Sequence, residues 1–464
     1  MMSKPKIGLL PLYLELYDRV LPQMRARIED FYKVIAAEMT ARGLDVITSP
    51  VCRLYEEVET VVKEFEAANA DGIITIHLAY SPSLESAPII ARSRLPVFVL
   101  DTTPTSSYGP LQNPEELLYN HGIHGVQDFC NLLIREGKAF TIAAGHWLES
   151  TVLDKAVAWA FAARLAANFR RARVGLIGKQ FAGMADFQVP FEVLKKTIGM
   201  EVIEADIAIL RSLVPAENDL AVEAEIASDL AKFQVSNIDE DAHRATTRAC
   251  LAVREWINRE ALTAFTMNFE DITRSTGIPT VPFLEASKAM ARGQGYAGEG
   301  DVLTAGFVGA LLSVFPETTF VEMFCPDWTG NSILLSHMGE LNLALADDKP
   351  VLVAKNLPWI DTAPPVLAVG RFKGGRAVLA NLAPMRDNSY RLIIAPITVL
   401  DIEGEDLMQD SVRGWFRSSL RVENFLEEFS RVGGTHHSAL VYGNVADELR
   451  YFGEIMGWEV VVLE

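Results

Sequence analysis

Several features that would identify a function early are scarce in this chain. Its four cysteines, Cys52, Cys130, Cys250 and Cys325, are scattered across 464 residues and fit neither a disulfide framework nor a zinc knuckle. Most of them read as small buried hydrophobes. Long apolar runs are missing too: the first six residues lead straight into Ile7–Pro11, a segment too short and too soon broken by proline for a signal sequence or a membrane span. A cytoplasmic protein without a membrane partner is expected. Basic residues are in deficit, 42 against 61 acidic ones, and the resulting charge of −19 excludes a general affinity for nucleic acid or anionic membrane. There is no internal repeat, no low-complexity tract and no tight metal motif of the H-E-x-x-H kind, and histidines number only eight.

What remains is a well-buried globular chain, 49% hydrophobic and 22% charged, long enough for two or three domains. Short apolar runs at Lys6–Leu10, Leu44–Thr48, Gly72–Ile76, Pro96–Leu100 and Phe140–Ala144 read as strands. Between them, segments near 20–42, 53–69, 114–136 and 151–170 read as helices. That alternation predicts a parallel sheet covered on both faces, a doubly wound α/β domain over residues 1–172. A second α/β domain is expected over 173–315, opening on the strand Arg173–Gly178 and including strands at Met200–Glu204 and Ala261–Met267. The acidic stretch from Glu217 to Asp241 reads as a solvated helical face plus a loop. From 316 to 464 the runs become shorter and punctuated by proline and glycine, which predicts a β-rich, antiparallel barrel-like C-terminal domain.

Ligands of doubly wound sheets sit outside the carboxyl ends of the strands. Polar residues there are Tyr13 and Glu15, His77 with Tyr80 and Ser81, Asp101 to Thr103, and Gly145 to Trp147; each is also a plausible turn or cap. The loop Gly183, Met184, Ala185, Asp186 follows the first strand of the second domain in the same way. His124 falls within or at the start of a helix, where a surface or capping role is the simpler expectation.

The stretch Gly293–Asp301 gathers four glycines and two carboxylates in nine residues. Gly293, Gly295 and Gly298 spell G-x-G-x-x-G, but a dinucleotide site needs a strand before that pattern, and Phe283–Arg292 is helical in composition. The stretch is instead expected to be a glycine-rich turn that presents Glu299, with Asp301 capping the next helix. Glu322 stands in an apolar run where alternation puts Phe320, Glu322 and Phe324 on one face and Val321 and Met323 on the other. A carboxylate among aromatics is costly to bury unpaired and calls for a cation. His337 closes a strand, and His436 and His437 follow Gly433, Gly434 and Thr435. Two carboxylates with imidazoles suit a divalent metal of the Mn²⁺, Co²⁺ or Mg²⁺ type, although capping and core roles are alternatives.

Tyr296–Asp301, Phe320–Glu322, Ser336–Met338 and Gly433–His437 resemble, in order and spacing, signature segments of the L-arabinose isomerase family within the arabinose/fucose isomerase superfamily. Thr266–Asp271, Gly145–Trp147 and the turn at Ser81 and Pro82 are similar as well. The resemblance implies two Rossmann-like domains followed by a β-rich domain, and a homo-oligomer, typically a hexamer, with each active site shared between subunits. It implies metal ligation by Glu299, Glu322, His337 and His437, with Mn²⁺ first among the candidates. Glu299 and Glu322 would double as the catalytic acid/base pair of an aldose–ketose isomerisation through an enediol. Sugar contacts would come from Tyr13, Met184, Phe269, Met338 and His436, and from His124 of a neighbouring subunit. The chain departs from the family at Tyr13–Tyr17 and at Met323–Trp328, segments that contact the sugar there, so the resemblance does not fix L-arabinose as the substrate and leaves a different or modified aldose open. A metal-dependent epimerase and a sugar-binding or regulatory protein are the alternative functions; a nucleotide-dependent dehydrogenase lacks the context its glycine motif requires.

Overall fold

The computed structural model describes residues 4–235 and 238–464. Met1–Ser3, part of the N-terminal stretch considered above, and Ser236 and Asn237, within the acidic stretch, lie outside the described residues. The chain divides into two compact units, Met1–Ala167 and Asn168–Glu464.

In the first unit the strands Asp45–Thr48, Lys6–Leu12, Gly72–His77, Val97–Asp101 and Thr141–Ala144 form, in that spatial order, an all-parallel sheet. The expected strands are all present. Leu10, Leu12, Ile73, Val97 and Val99 meet Val58, Val62 and Phe129 of the covering helices in one apolar layer. On the other face Trp159 packs against Phe98 with ring centroids 5.4 Å apart. The spatial order of the first three strands reverses the chain order once, so the carboxyl ends of Lys6–Leu12 and Gly72–His77 flank the switch point of a doubly wound sheet.

The second unit holds the site. Its parallel sheet runs Gly295–Gly298, Ala264–Met267, Arg173–Ile177, Glu201–Glu204. Here one sequence expectation is corrected: Gly295–Gly298 is a buried strand, not a turn. The glycines are there for packing. A Cβ on Gly295 would lie 2.3 Å from the Ala305 carbonyl oxygen, and one on Gly298 would lie 2.9 Å from the His337 ring. Turns flank the strand on either side, at Gly293 with φ 89° and at Glu299 and Gly300 with φ 61° and 80°.

Among the described residues, Gly375–Pro384, His437–Tyr442, Thr318–Asp327, Ser332–Ser336, Gly414–Ser418 and Tyr390–Val399 pair antiparallel in sequence around a ring, and the last pairs back to the first. This is a closed barrel, with Glu459–Val462 added in parallel to Tyr390–Val399. Val321, Ile333, Leu335, Leu379, Ile393, Phe416 and Leu440 fill its interior. Residues of alternate parity, Phe320, Glu322 and His437 among them, therefore face outward toward the α/β sheet. The strands Gly414–Ser418 and His437–Tyr442 were not anticipated from sequence. Phe324, assigned above to the face of Glu322, is exposed, because the register shifts between Met323 and Cys325. Cys325 is exposed as well, whereas Cys52 and Cys250 are buried as expected. No described helix is long and apolar enough to cross a membrane.

The helix Phe283–Ala291, which leads into the strand before Glu299, is pinned by buried charges. Lys288 reaches Asp229 at 2.5 Å and Glu225 at 2.7 Å, and Arg254 bridges Glu225 and Glu285, each at 2.8 Å. Burial opposes ionisation of Glu225, but Arg254 and Lys288 outweigh it and lower its pKa to about 2. A carboxylate depressed in the folded state stabilises the fold above its unfolded pKa, and that contribution is lost as pH falls through the folded value. Glu225→Gln should therefore destabilise the protein by about 3 kcal/mol at neutral pH in urea unfolding, in the range for breaking a buried pair. The gap to the wild type should narrow between roughly pH 4.5 and pH 2.

Candidate metal centre

Four short segments converge on one point of the second unit. Glu299 follows the strand Gly295–Gly298 in a left-handed conformation, which costs a non-glycine residue on the order of 1 kcal/mol and turns its carboxylate out of the sheet. Glu322 lies on the outward face of the barrel strand Thr318–Asp327, in register with His437 on one side and Ser336 on the other. His337 directly follows the strand Ser332–Ser336, and His437 opens the strand His437–Tyr442.

Glu322 Oε1 lies 3.1 Å from Nε2 of His337 and 3.1 Å from Nε2 of His437. Glu299 Oε2 lies 3.4 Å from His437 Nε2 and 3.6 Å from His436 Nε2. Donor atoms of Glu299, Glu322, His436 and His437 all fall within 4.8 Å of one another, the spacing of a metal site; His337 joins through Glu322. Each imidazole has its other nitrogen on a carboxylate. His337 Nδ1 lies 2.6 Å from Glu340, His437 Nδ1 2.8 Å from Asp301, and His436 Nδ1 2.6 Å from Asp186. Carboxylates in that position hold a histidine in the tautomer that leaves Nε2 free as an acceptor, whether for a metal or for a hydrogen-bond donor. Asp301 also caps the helix Val302–Leu312, accepting from the Thr304 N–H at 2.9 Å, as expected. Glu340 is fully buried and is further bound by the Tyr296 hydroxyl at 2.9 Å and by the Gly339 N–H.

Aromatic rings close the surroundings. Phe320 stands edge-on to His337 and His437 at 4.9 and 5.0 Å, and Phe187 stacks on His437 at 5.0 Å, only 9° from parallel. In this enclosure the protons redistribute. Burial opposes charge on His337, yet Glu340 and Glu322 raise its pKa to about 10. Burial likewise resists ionisation of Glu299, but the neighbouring imidazoles of His436 and His437 lower its pKa to about 2. Glu322 is held still further below the usual carboxylate range by the same kind of partners.

A divalent cation fits these residues. Glu299 Oε2 and His437 Nε2 are buried and, among the described residues, lack a properly directed hydrogen-bond partner although they face each other. Two facing, inward-turned donors, one a carboxylate oxygen and one an imidazole nitrogen, are what a divalent ion satisfies.

Of the sugar-contact residues expected from sequence, His436 lies in this cluster, and Met184 and Met338 adjoin it in sequence, two residues before Asp186 and one after His337. Phe269 packs on Phe181, ring centroids 5.8 Å apart, and the Phe181 N–H donates to the Glu299 carbonyl. Tyr13 and His124 belong to the first unit: Tyr13 is buried at the end of Lys6–Leu12, and His124 is exposed on the helix Gly122–Arg135, its ring 5.4 Å from His121. Sequence reasoning passed over Glu340, and gave Asp301 a capping role alone. Their signals were an acid three residues after one ligand and another two residues after Glu299.

Comparison with known proteins finds family matches across the unit that carries this centre. Residues 194–315 match the L-arabinose isomerase central domain, and residues 317–459 the L-arabinose isomerase C-terminal domain. The chain is 25% identical over 450 residues to L-arabinose isomerase of Herpetosiphon aurantiacus, covering 92% of this chain and 89% of that protein. It is 24% identical over 433 residues to L-arabinose isomerase of Thermotoga petrophila, covering 90% and 86% respectively. A solved glucose-galactose binding protein, GanP of Geobacillus stearothermophilus, aligns at 16% identity over 67% of this chain and 90% of that one, but at a TM-score of 0.16, which supports no likeness of fold.

Asp301→Asn preserves a good helix cap while disturbing the acceptor on His437 Nδ1; Asp301→Ala removes both. Titration calorimetry with Mn²⁺ should show both variants binding about 10- to 100-fold more weakly than wild type. Only the alanine variant should also lose about 1 kcal/mol of metal-free stability.

Proposed function

Because the chain belongs to the L-arabinose isomerase family as a divergent member, we propose that it is a metal-dependent ketol isomerase interconverting an aldose and its ketose. The observation that carries this is the convergence of Glu299 and Glu322 on the inward-turned nitrogens of His437 and its neighbours. Glu299, Glu322, His337 and His437 would hold the metal, with Mn²⁺ preferred and Co²⁺ or Mg²⁺ as substitutes. A bound divalent ion would supply electrostatic stabilisation of the charge that develops on the sugar's first two oxygens.

The chain's own residues account for the rest. Moving a hydrogen between C1 and C2 through an enediol requires one base to take the proton and one group to return it. We assign both tasks to Glu299 and Glu322, the two carboxylates that meet the histidines of the centre. Phe187 and Phe320 keep water from the imidazoles that orient them. Met184, Phe269, Met338 and His436 would contact the small-molecule sugar. The functional assembly would be a homo-oligomer, a hexamer by family likeness, in which Tyr13 and a neighbouring subunit's His124 complete each site.

The departures at Tyr13–Tyr17 and Met323–Trp328 leave the aldose open, L-arabinose and modified or different aldoses alike. Stripping the protein with a chelator, restoring Mn²⁺ and screening aldoses for ketose formation should reveal one that turns over only with metal. Glu299→Ala and Glu322→Gln should each lower its turnover by about 10²- to 10⁴-fold. Turnover that survives Glu299→Ala would sink the assignment, and a scrambled stereocentre without ketose, seen by NMR, would point to an epimerase instead.

A further inference from the structure

Three imidazoles meet at the centre, and they are not equivalent. His337 and His437 are buried, whereas the side chain of His436 is 38% exposed. It is the ring of the cluster that a ligand arriving from solvent reaches first. Its orientation is set by one atom. Asp186 Oδ2 accepts the His436 backbone N–H at 3.0 Å and lies 2.6 Å from His436 Nδ1. A carboxylate oxygen can only accept, so Nδ1 must carry the proton, and in the neutral ring Nε2 is left as a bare lone pair. That nitrogen points to Glu299 Oε2 at 3.6 Å, beyond hydrogen-bond distance, and the oxygen has no directed partner of its own.

The next residue reinforces the grip. Phe187 stacks on His437 and lies 5.7 Å from the His436 ring. Consecutive residues of one loop thus hold consecutive histidines of another. The loop is itself tied down, with the Phe181 N–H on the Glu299 carbonyl at 2.9 Å and the Gln188 side chain on the Phe181 carbonyl at 2.8 Å.

We propose that Asp186 is a positioning residue: it fixes His436 with its proton on Nδ1, so that Nε2 accepts a hydrogen bond from a hydroxyl of the bound sugar, a ligand whose identity rests on the isomerase function proposed above. The backbone bond sets where the ring stands, and the Nδ1 bond sets which nitrogen is free. A purely structural loop contact would need only the first.

The test uses the full-length protein loaded with Mg²⁺, a diamagnetic ion, and labelled with ¹⁵N at histidine, at a pH where His436 is neutral. His436→Gln identifies the His436 signal. In the wild type that signal should show a protonated Nδ1 and a bare Nε2; in Asp186→Ala the preference should be lost, and in Asp186→Asn, whose amide can turn an N–H toward the ring, it should weaken or reverse. On the aldose that the wild type turns over, Asp186→Ala should lower kcat about 10- to 100-fold at unchanged metal content, the scale for a carboxylate that orients a histidine. KM should move less than about threefold, as for an interaction made in the transition state. A wild-type proton on Nε2, an unchanged tautomer in Asp186→Ala, or an altered tautomer with unchanged kcat would each overturn the proposal. If no aldose turns over in the wild type, the isomerase function falls, and the tautomer measurement alone decides the role of Asp186.

Discussion

The site depends on one unfavourable placement, the largely buried carboxylate of Glu322 on the outside of a closed barrel. A lone carboxylate there would protonate or pull the strand apart. It is held instead by two Nε2 atoms at 3.1 Å each, from histidines on the neighbouring barrel strands. Barrel closure makes this possible, because antiparallel register sets His437 and Ser336 directly opposite Glu322, and His337 is the residue after Ser336. The apolar interior fixes that register: a slip by one residue would turn Val321, Leu335 and Leu440 outward and Glu322 into the core.

Glu299 comes from the other architecture in the same unit. The strand before it packs so closely on the helix Val302–Leu312 that Gly295 admits no side chain, and Gly298 makes room for the His337 ring. Carboxylates then outnumber imidazoles around the centre: Glu299, Glu322, Asp186, Asp301 and Glu340 against His337, His436 and His437. Protons on the imidazoles balance part of that excess, and a divalent cation would balance more of it while satisfying the orphaned atoms of Glu299 and His437.

Much of this could be read from sequence because it follows short periods. Alternation placed Phe320 and Glu322 on one face, and the strand–helix rhythm gave the first sheet in full. The failures have physical causes as well. Gly295–Gly298 looks like a turn because glycine composition reports permissive backbone and cannot say that the permission is used for close packing. His437–Tyr442 opens with two polar residues after a Gly-Gly pair, so its apolar run is too brief to announce a strand. Phe324 left its predicted face because a bulge breaks the period at Met323 and Cys325. Glu340 escaped notice although it stands only three residues after His337, because outside a helix an acid at that spacing belongs to no periodic pattern.

The division of labour between elements follows from these constraints. The metal-type donors stand on strands or directly at their ends: Glu322 and His437 within the barrel, His337 one residue beyond it, Glu299 one residue beyond the parallel sheet. Such positions cannot shift without unzipping a ladder of backbone hydrogen bonds. The residues expected to meet the sugar stand elsewhere, Met184 with Asp186 in the loop after Arg173–Ile177, and Phe269 in the short turn Phe269–Asp271 after Ala264–Met267. Both loops leave the carboxyl ends of adjacent parallel strands, where doubly wound sheets place their ligands. Loops at that edge can change sequence without disturbing either sheet.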